Sequence, residues 1–357
     1  MAATDAIRVD SLTKDFGSVT AVDDLSFAVE EGELFGLIGP NGAGKSTLIN
    51  MLVTLLGPTA GTATVNGHDI TEEMAAVRDS LGIVFQEPAL DEELTGAENL
   101  AFHGRMYGQR QAEREERIPK VLDLVDLADE GDVPVENYSG GMQRRLEIGR
   151  GLIHEPEVLF LDEPTVGLDA RTRRDTWEYI SRMNEESGVT IILTTHYMDE
   201  ADYLCDRVGI VDEGNIVALD SPEHLKDSLG GDVVALDIEN TPKPFFNQLD
   251  DQSWVREYTV TDTGVNVTLE HGETRIVDLV RLADESGVTI TSVDLRKPSL
   301  ENVFLSLTGQ TMAERESETV ESESGSGGGE RSPTDEDMMD EESTDRQPQT
   351  VASEVDE

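Results

Sequence analysis

Apolar residues recur along the first 230 positions as short uninterrupted runs, at 34–38, 82–85, 158–161, 190–194 and 208–211. Runs of four or five residues with no polar alternation suit strands buried on both faces of a sheet. Helical stretches alternate with them. After the first run, Leu48, Ile49, Leu52 and Val53 fall on one face at helical spacing. Strands alternating with helices predict an α/β domain over residues 1–230 with a largely parallel sheet. The adjacent Gly230 and Gly231 mark a boundary. Beyond it the pattern predicts strands at 233–238 and 265–269, a helix at 274–286, a strand at 288–295 and a helix at 299–307. Residues 232–309 thus read as a small α+β accessory domain, with Phe245, Phe246 and Trp254 as core. From 310 to 357 the chain turns polar, acidic and Gly/Ser-rich. Such a tail cannot bury enough apolar surface to offset ordering, so disorder is expected there.

Charge changes the picture most. The 357 residues carry a net charge of −48, with 75 acids against 27 bases. The tail accounts for only 13 of those negative charges, so the excess is spread over the folded part. Solubility of a small domain needs a net charge of only about 2–8. Self-repulsion on this scale is tolerable where salt screens it over about 3 Å, as at 1 M. The composition therefore points to an organism that keeps molar salt in its cytoplasm, a halophilic archaeon. It speaks against a nucleic-acid partner, which needs clustered bases. The single cysteine, Cys205, permits no internal disulfide and fits a reducing compartment. No apolar run reaches the 18 residues of a membrane span, and MAATDAIRVD has neither the basic start nor the apolar stretch of a signal peptide. No direct membrane insertion is expected.

The first apolar run leads straight into Gly39, Pro40, Asn41, Gly42, Ala43, Gly44, Lys45, Ser46 and Thr47, which fits G-x-x-x-x-G-K-[ST] without a mismatch. Glycines let successive backbone N–H groups wrap a phosphate, and the helix starting near Lys45 adds the positive end of its dipole. Lys45 supplies a point charge to the β- and γ-phosphates, and the Ser46 hydroxyl a ligand to Mg²⁺. This much defines a P-loop nucleotide triphosphatase. The run at 158–161 ends in Asp162 and Glu163. A strand so apolar belongs in the sheet centre, which places both carboxylates at its carboxyl edge, beside the phosphates. Asp162 is expected to hold Mg²⁺ through a bridging water. Glu163 is expected to orient the attacking water, worth roughly 10²–10⁴-fold in rate.

Residues 137–145, Asn-Tyr-Ser-Gly-Gly-Met-Gln-Arg-Arg, resemble the signature motif of ABC ATPases. Tyr138 and Met142 stand where that family usually has Leu and Gln, a departure similar to its drug-exporter branch. Ser139 with the Gly140 and Gly141 amides, opening a helix at 142–152, forms a second anion site. The resemblance implies further roles. Gln86 looks like the glutamine that reaches Mg²⁺ and senses the membrane partner. Asp169, in Gly167-Leu168-Asp169, looks like the loop through which two subunits communicate. His196 looks like the switch histidine at the γ-phosphate, and Phe16 like the aromatic stacked on adenine. The segments at 85–100 and 298–304 are similar to the daunorubicin-resistance type of exporter ATPase, whose helix at 95–107 would help line the groove for a permease helix.

The fold so implied is a P-loop ATPase of ABC type with a helical subdomain, the α+β domain and the tail. The function implied is ATP hydrolysis, with Mg²⁺, by a homodimer or a paired ATPase subunit. That dimer would sit at the cytoplasmic face of the membrane, held peripherally by a separate integral-membrane permease and exporting drugs, lipids or other hydrophobic compounds. A soluble ABC ATPase of translation or DNA repair would show a second cassette, or a coiled-coil or metal insertion; this chain has neither. A nucleotide-binding regulator without turnover would not need Glu163 and His196.

Overall fold

The buried runs become the centre of a six-stranded sheet. The computed structural model describes residues 4–87, 89–239, 243–261, 264–270 and 272–310. In chain order its first elements are β1 (Asp5–Phe16), β2 (Val19–Glu30), β3 (Leu34–Ile38), α1 (Lys45–Leu52), β4 (Ala60–Val65), β5 (His68–Asp69), α2 (Met74–Ser80) and β6 (Leu81–Val84). A helical group follows, α3 (Gly96–Met106), α4 (Gln111–Leu124) and α5 (Gly140–Leu152). Then come β7 (Val158–Asp162), α6 (Ala170–Ser187), β8 (Thr190–Thr195), α7 (Met198–Leu204), β9 (Arg207–Asp212), β10 (Asn215–Asp220) and α8 (Pro222–Ser228).

The main sheet has the order β10-β9-β3-β8-β7-β6 and is parallel except at β10. Its central strands β3 and β8 are buried at every position. Successive side chains point to opposite faces and so divide between two cores. Phe35, Leu37, Phe160 and Ile192 pack on one side with α1 and with Ile7, Val9, Val22 and Leu25. Leu34, Ile38, Leu159, Leu161, Ile191 and Leu193 pack on the other with Leu100, Val121, Leu146 and Ile148 of α3, α4 and α5. The first side is closed by an antiparallel sheet of order β2-β1-β4-β5, which the hydrophobic pattern does not predict.

The five expected strands appear within a residue or two of their predicted ends. The helix expected at 95–107 is α3, opened by a reciprocal cap in which Thr95 accepts from the Glu98 N–H and Glu98 from the Thr95 N–H. The helix expected at 142–152 begins two residues earlier, because Ser139 is the cap and Gly140 and Gly141 are already helical.

The C-terminal part forms an antiparallel sheet of order β12-β13-β11-β14, from β11 (Asp232–Ile238), β12 (Val255–Val260), β13 (Gly264–Leu269) and β14 (Ile290–Arg296). With α9 (Lys243–Asp250) and α10 (Gly272–Glu285) it encloses a core of its own around Val234, Leu236, Phe245, Val267 and Leu279. Phe245 is fully buried, and Phe246 and Trp254 pack against the same core. Helix α9 and strand β12 are additions to the predicted pattern. The last helix, α11 (Leu300–Thr308), buries Leu300, Val303 and Phe304 in the core of the first domain, not in the accessory one. The tail expected to be disordered lies, beyond Gln310, outside the described residues.

Candidate functional site

Four strands of the parallel sheet end side by side, and each hands its carboxyl end to one of the predicted motifs. β3 leads into Gly39–Thr47, β8 into His196, β7 into Glu163 and β6 into Gln86. The loop after β3 has no room for side chains at two of its glycines. A Cβ on Gly39 would lie 2.2 Å from the Val211 carbonyl oxygen, and one on Gly44 would lie 2.2 Å from that of Ala21. Gly44 also caps α1 at φ 105°, in the left-handed region that favours glycine. Buried Lys45 turns its ammonium back over the loop, donating to the carbonyls of Gly39 (2.6 Å) and Pro40 (2.9 Å). Asn41, Gly42 and Ser46 are exposed, and Ala43 and Thr47 fill in behind.

Asp162 and Glu163 sit where β7 leaves the sheet. Glu163 takes φ 46°, a left-handed conformation costly for a non-glycine residue, of order 1–3 kcal/mol. Its N–H is held by both the carbonyl and the hydroxyl oxygen of Thr194, each at 3.1 Å. The same Thr194 hydroxyl donates to the Asp162 carboxylate. Thr194 pairs with Asp162 across β7 and β8, so the sheet register itself sets this bridge. Glu163 Oε1 lies 3.2 Å from His196 Nδ1. That hydrogen bond, more than the charges of His196 and Lys45, holds the Glu163 carboxyl below its usual range, against burial, which raises it. A carboxylate ionised and aimed at a histidine can accept a proton or orient a water.

Beneath His196, the side chain of Glu200 is fully buried and accepts from the Thr165 hydroxyl (2.7 Å) and the Trp177 indole N–H (2.8 Å). Burial raises its pKa. It ties the chain just after Glu163 to α6 and to the start of α7. Neither Thr194 nor Glu200 is singled out by the sequence pattern.

Gln86 is exposed two residues beyond β6. Phe16 ends β1 with half its surface open (51%), the Lys14 ammonium 5.2 Å from its ring centre. The hairpin carrying it reaches the phosphate loop through Ala21. The remaining candidates gather elsewhere. Ser139 caps α5 by accepting from the Met142 N–H (3.3 Å). Gly141 abuts the first turn of α6, where a Cβ would lie 2.6 Å from Thr172 Cγ2. Asp169 caps α6, accepting from the N–H groups of Arg171 and Thr172 and from the Thr172 hydroxyl (2.6 Å), and the hydroxyl lowers its pKa most. Ser139 and Gly141 line a cleft of about 360 Å³ with Thr172, Asp175 and Arg182, and no residue of the phosphate loop lines it.

Two families match the chain. Residues 22–166 match the ABC transporter family, and residues 221–308 match the DrrA1-3-like ATP-binding protein C-terminal domain. The linearmycin resistance ATP-binding protein of Bacillus subtilis is 38% identical, the match covering 86% of this chain and 99% of that one. A daunorubicin resistance ATP-binding protein, DrrA3 of Streptomyces coeruleorubidus, is 41% identical over 86% of this chain and 97% of its own. The Nod factor export ATP-binding protein I of Sinorhizobium fredii is 40% identical over 86% and 87%. Among solved structures, cbiO1 of Clostridium perfringens, part of an ABC transporter complex, superposes with a TM-score of 0.59 at 28% identity, covering 62% of this chain and 90% of that one. A dimeric ATP-binding cassette in a post-hydrolysis state with ADP and Pi superposes with a TM-score of 0.54 at 26% identity, over 60% and 98%.

Proposed function

The chain belongs to the ATP-hydrolysing subunits of ABC transporters, in their daunorubicin-resistance type, and from that premise we propose how its residues divide the work. Two copies close on two ATP molecules, each held by the phosphate loop of one copy and covered by Ser139, Gly140 and Gly141 of the other. One observation carries this reading: a complete phosphate loop and a signature triplet occur in one chain, yet Ser139 and Gly141 of the triplet line a cleft that no residue of that loop lines. The superposition on a dimeric cassette supports it.

In the closed pair Gly39–Thr47 wrap the phosphates, and Lys45 exchanges the Gly39 and Pro40 carbonyls for phosphate oxygens. Phe16 stacks on adenine. Glu163, held ionised, orients the attacking water, and His196 fixes the Glu163 carboxylate and meets the γ-phosphate. Asp169, at the start of α6, links the two sites. Phosphoryl transfer of this kind is catalysed by positioning and electrostatics. The donors at this edge suit Mg²⁺, a hard cation that takes one or two carboxylates and fills its shell with phosphate oxygens and water. Ser46, Gln86 and Asp162 would hold it, and it would neutralise charge on the phosphates.

Closing and opening are passed to a separate membrane permease near Gln86 and α3, where Phe102 (58%) and Met106 (69%) are exposed one turn apart. Among the described residues no helix is long and apolar enough to cross a membrane; the chain is assigned to the cytoplasmic face, held there through that partner. The resistance and export roles of the relatives support an exporter of drugs, lipids or other hydrophobic compounds. We assign residues 1–230 to the ATPase domain and 232–309 to an accessory domain that steadies the dimer and whose last helix, α11, docks into the core of the first domain. The net charge of −48 supports a halophilic host. Recovery of the tagged chain from native membranes in molar KCl and mild detergent tests the reading. A stoichiometric multi-span partner is expected; a chain found instead with ribosomes or DNA would refute transport.

A further inference from the structure

Helix α5 carries two buried charged side chains just behind the signature triplet, Arg144 and Glu147. The Arg144 guanidinium donates to three backbone carbonyls, those of Pro164 (2.6 Å), Phe85 (2.9 Å) and Asp162 (3.2 Å). Glu147, one turn on, accepts the Ala89 N–H at 2.6 Å through Oε1, and its other oxygen accepts from Arg150 at 2.8 Å. Phe85 and Ala89 stand on either side of Gln86. The same helix therefore holds the Gln86 loop at both ends, and through Arg144 it also holds the turn that carries Glu163.

We propose that Arg144 and Glu147 are positioning residues, a two-point grip by which α5 sets the Gln86 loop and the Asp162–Pro164 turn. A nucleotide engaged at Ser139–Gly141 would then move the loop facing the permease and the turn facing the water as one body. The proposal rests on the preceding assignment of the signature triplet to the partner copy's ATP. The chemistry of both side chains suits such a grip. A planar guanidinium spans several carbonyls at fixed angles, as an ammonium does not, and buried charge-assisted hydrogen bonds resist stretching.

The test compares Glu147→Leu with Glu147→Gln in the chain–permease complex, measuring ATP binding, KM and kcat. Glu147→Leu leaves the Ala89 N–H without its acceptor. It is expected to keep ATP affinity and KM within about twofold while kcat and its stimulation by the permease fall about tenfold or more. Glu147→Gln loses the charge facing Arg150 but keeps an acceptor for Ala89, and is expected within about threefold of wild type. A folded Glu147→Leu chain with wild-type kcat, or a Glu147→Gln chain as impaired as Glu147→Leu, would overturn the grip. Should Glu147→Leu fail to fold, Ala89→Pro removes the donor at an exposed position; an equal loss of kcat is expected, and wild-type turnover would overturn the proposal. A Glu163→Gln complex run in parallel separates the two readings. If it loses hydrolysis while the Glu147 and Ala89 variants turn over normally, the grip falls and the ATPase assignment stands. If the wild-type complex hydrolyses no ATP, that assignment falls with it.

Discussion

Replacing Thr194 with valine removes one hydroxyl from a fully buried position and changes the side-chain shape very little. That hydroxyl donates to the Asp162 carboxylate and shares the Glu163 N–H with the Thr194 carbonyl. Loss of a hydrogen bond to a charged group costs about 1.5–3 kcal/mol. The Glu163 N–H keeps its carbonyl acceptor, so its share of the loss is small. The new methyl returns about 0.8 kcal/mol by burial. The net expectation is about 1–2 kcal/mol of destabilisation, a fall in Tm of a few degrees at roughly 2–4 °C per kcal/mol. Catalysis should suffer more than stability. Asp162 loses its tie to β8, and the left-handed turn at Glu163 loses one of two restraints; misplacement by about 1 Å can cost roughly 10²-fold. Thr194→Val should therefore lower kcat about 10- to 100-fold, with ATP affinity nearly unchanged, and Thr194→Ser should retain most activity. The assay is steady-state ATP hydrolysis by the permease complex, alongside nucleotide titration and a thermal scan. A Thr194→Val chain that loses a few degrees of Tm but keeps its kcat would show the hydroxyl to be structural only and refute the reasoning.

Three further outcomes follow from the same geometry. Gly141→Ala places a methyl 2.6 Å from Thr172 Cγ2, so either the Thr172 side chain turns, at the cost of its hydrogen bond to Asp169, or the signature shifts from α6; ATP-driven pairing should weaken while ATP binding to the single chain persists, as gel filtration and nucleotide titration would read. The depressed pKa of Glu163 contributes stability that is present above the ordinary glutamate value of about 4.3 and lost as pH falls through the lower folded value. His196→Ala removes the main cause and leaves burial, which raises the pKa, opposed only by the lesser effect of the Lys45 charge, so acid unfolding followed by circular dichroism should begin at a higher pH. Cys205 is buried, and burial pushes its thiol well above the ordinary range; iodoacetamide at pH 8 should leave the native chain unlabelled and label it fully in denaturant.

The motifs at the sheet edge are legible in the sequence because each is a continuous stretch: an apolar run that must be a buried strand, followed at once by the residues its end presents. What the pattern conceals has two physical sources. In β1 the register against β2 shifts repeatedly, between Val9 and Leu12 and again around Lys14, so the period of two that betrays a strand is broken and the antiparallel sheet goes unseen. The other source is distance along the chain. Thr194 meets Asp162 across 32 positions, Arg144 meets Phe85 across 59, and Glu147 meets Ala89 across 58. Threonine, arginine and glutamate have no local signature of such contacts, and in a chain this acidic Glu147 and Glu200 look like any solvated carboxylate. Helix α11 is foreseen by its own periodicity, but only the structure shows Leu300, Val303 and Phe304 packed into the first domain.

The central claim is that each ATP is shared by two copies, and the mass of the Glu163→Gln chain in ATP tests it most directly. Light scattering on a gel-filtration column in molar KCl should give a monomer without nucleotide and a dimer with ATP, retaining one ATP per chain. A chain that binds ATP to saturation and remains a monomer at every concentration tried would contradict the account.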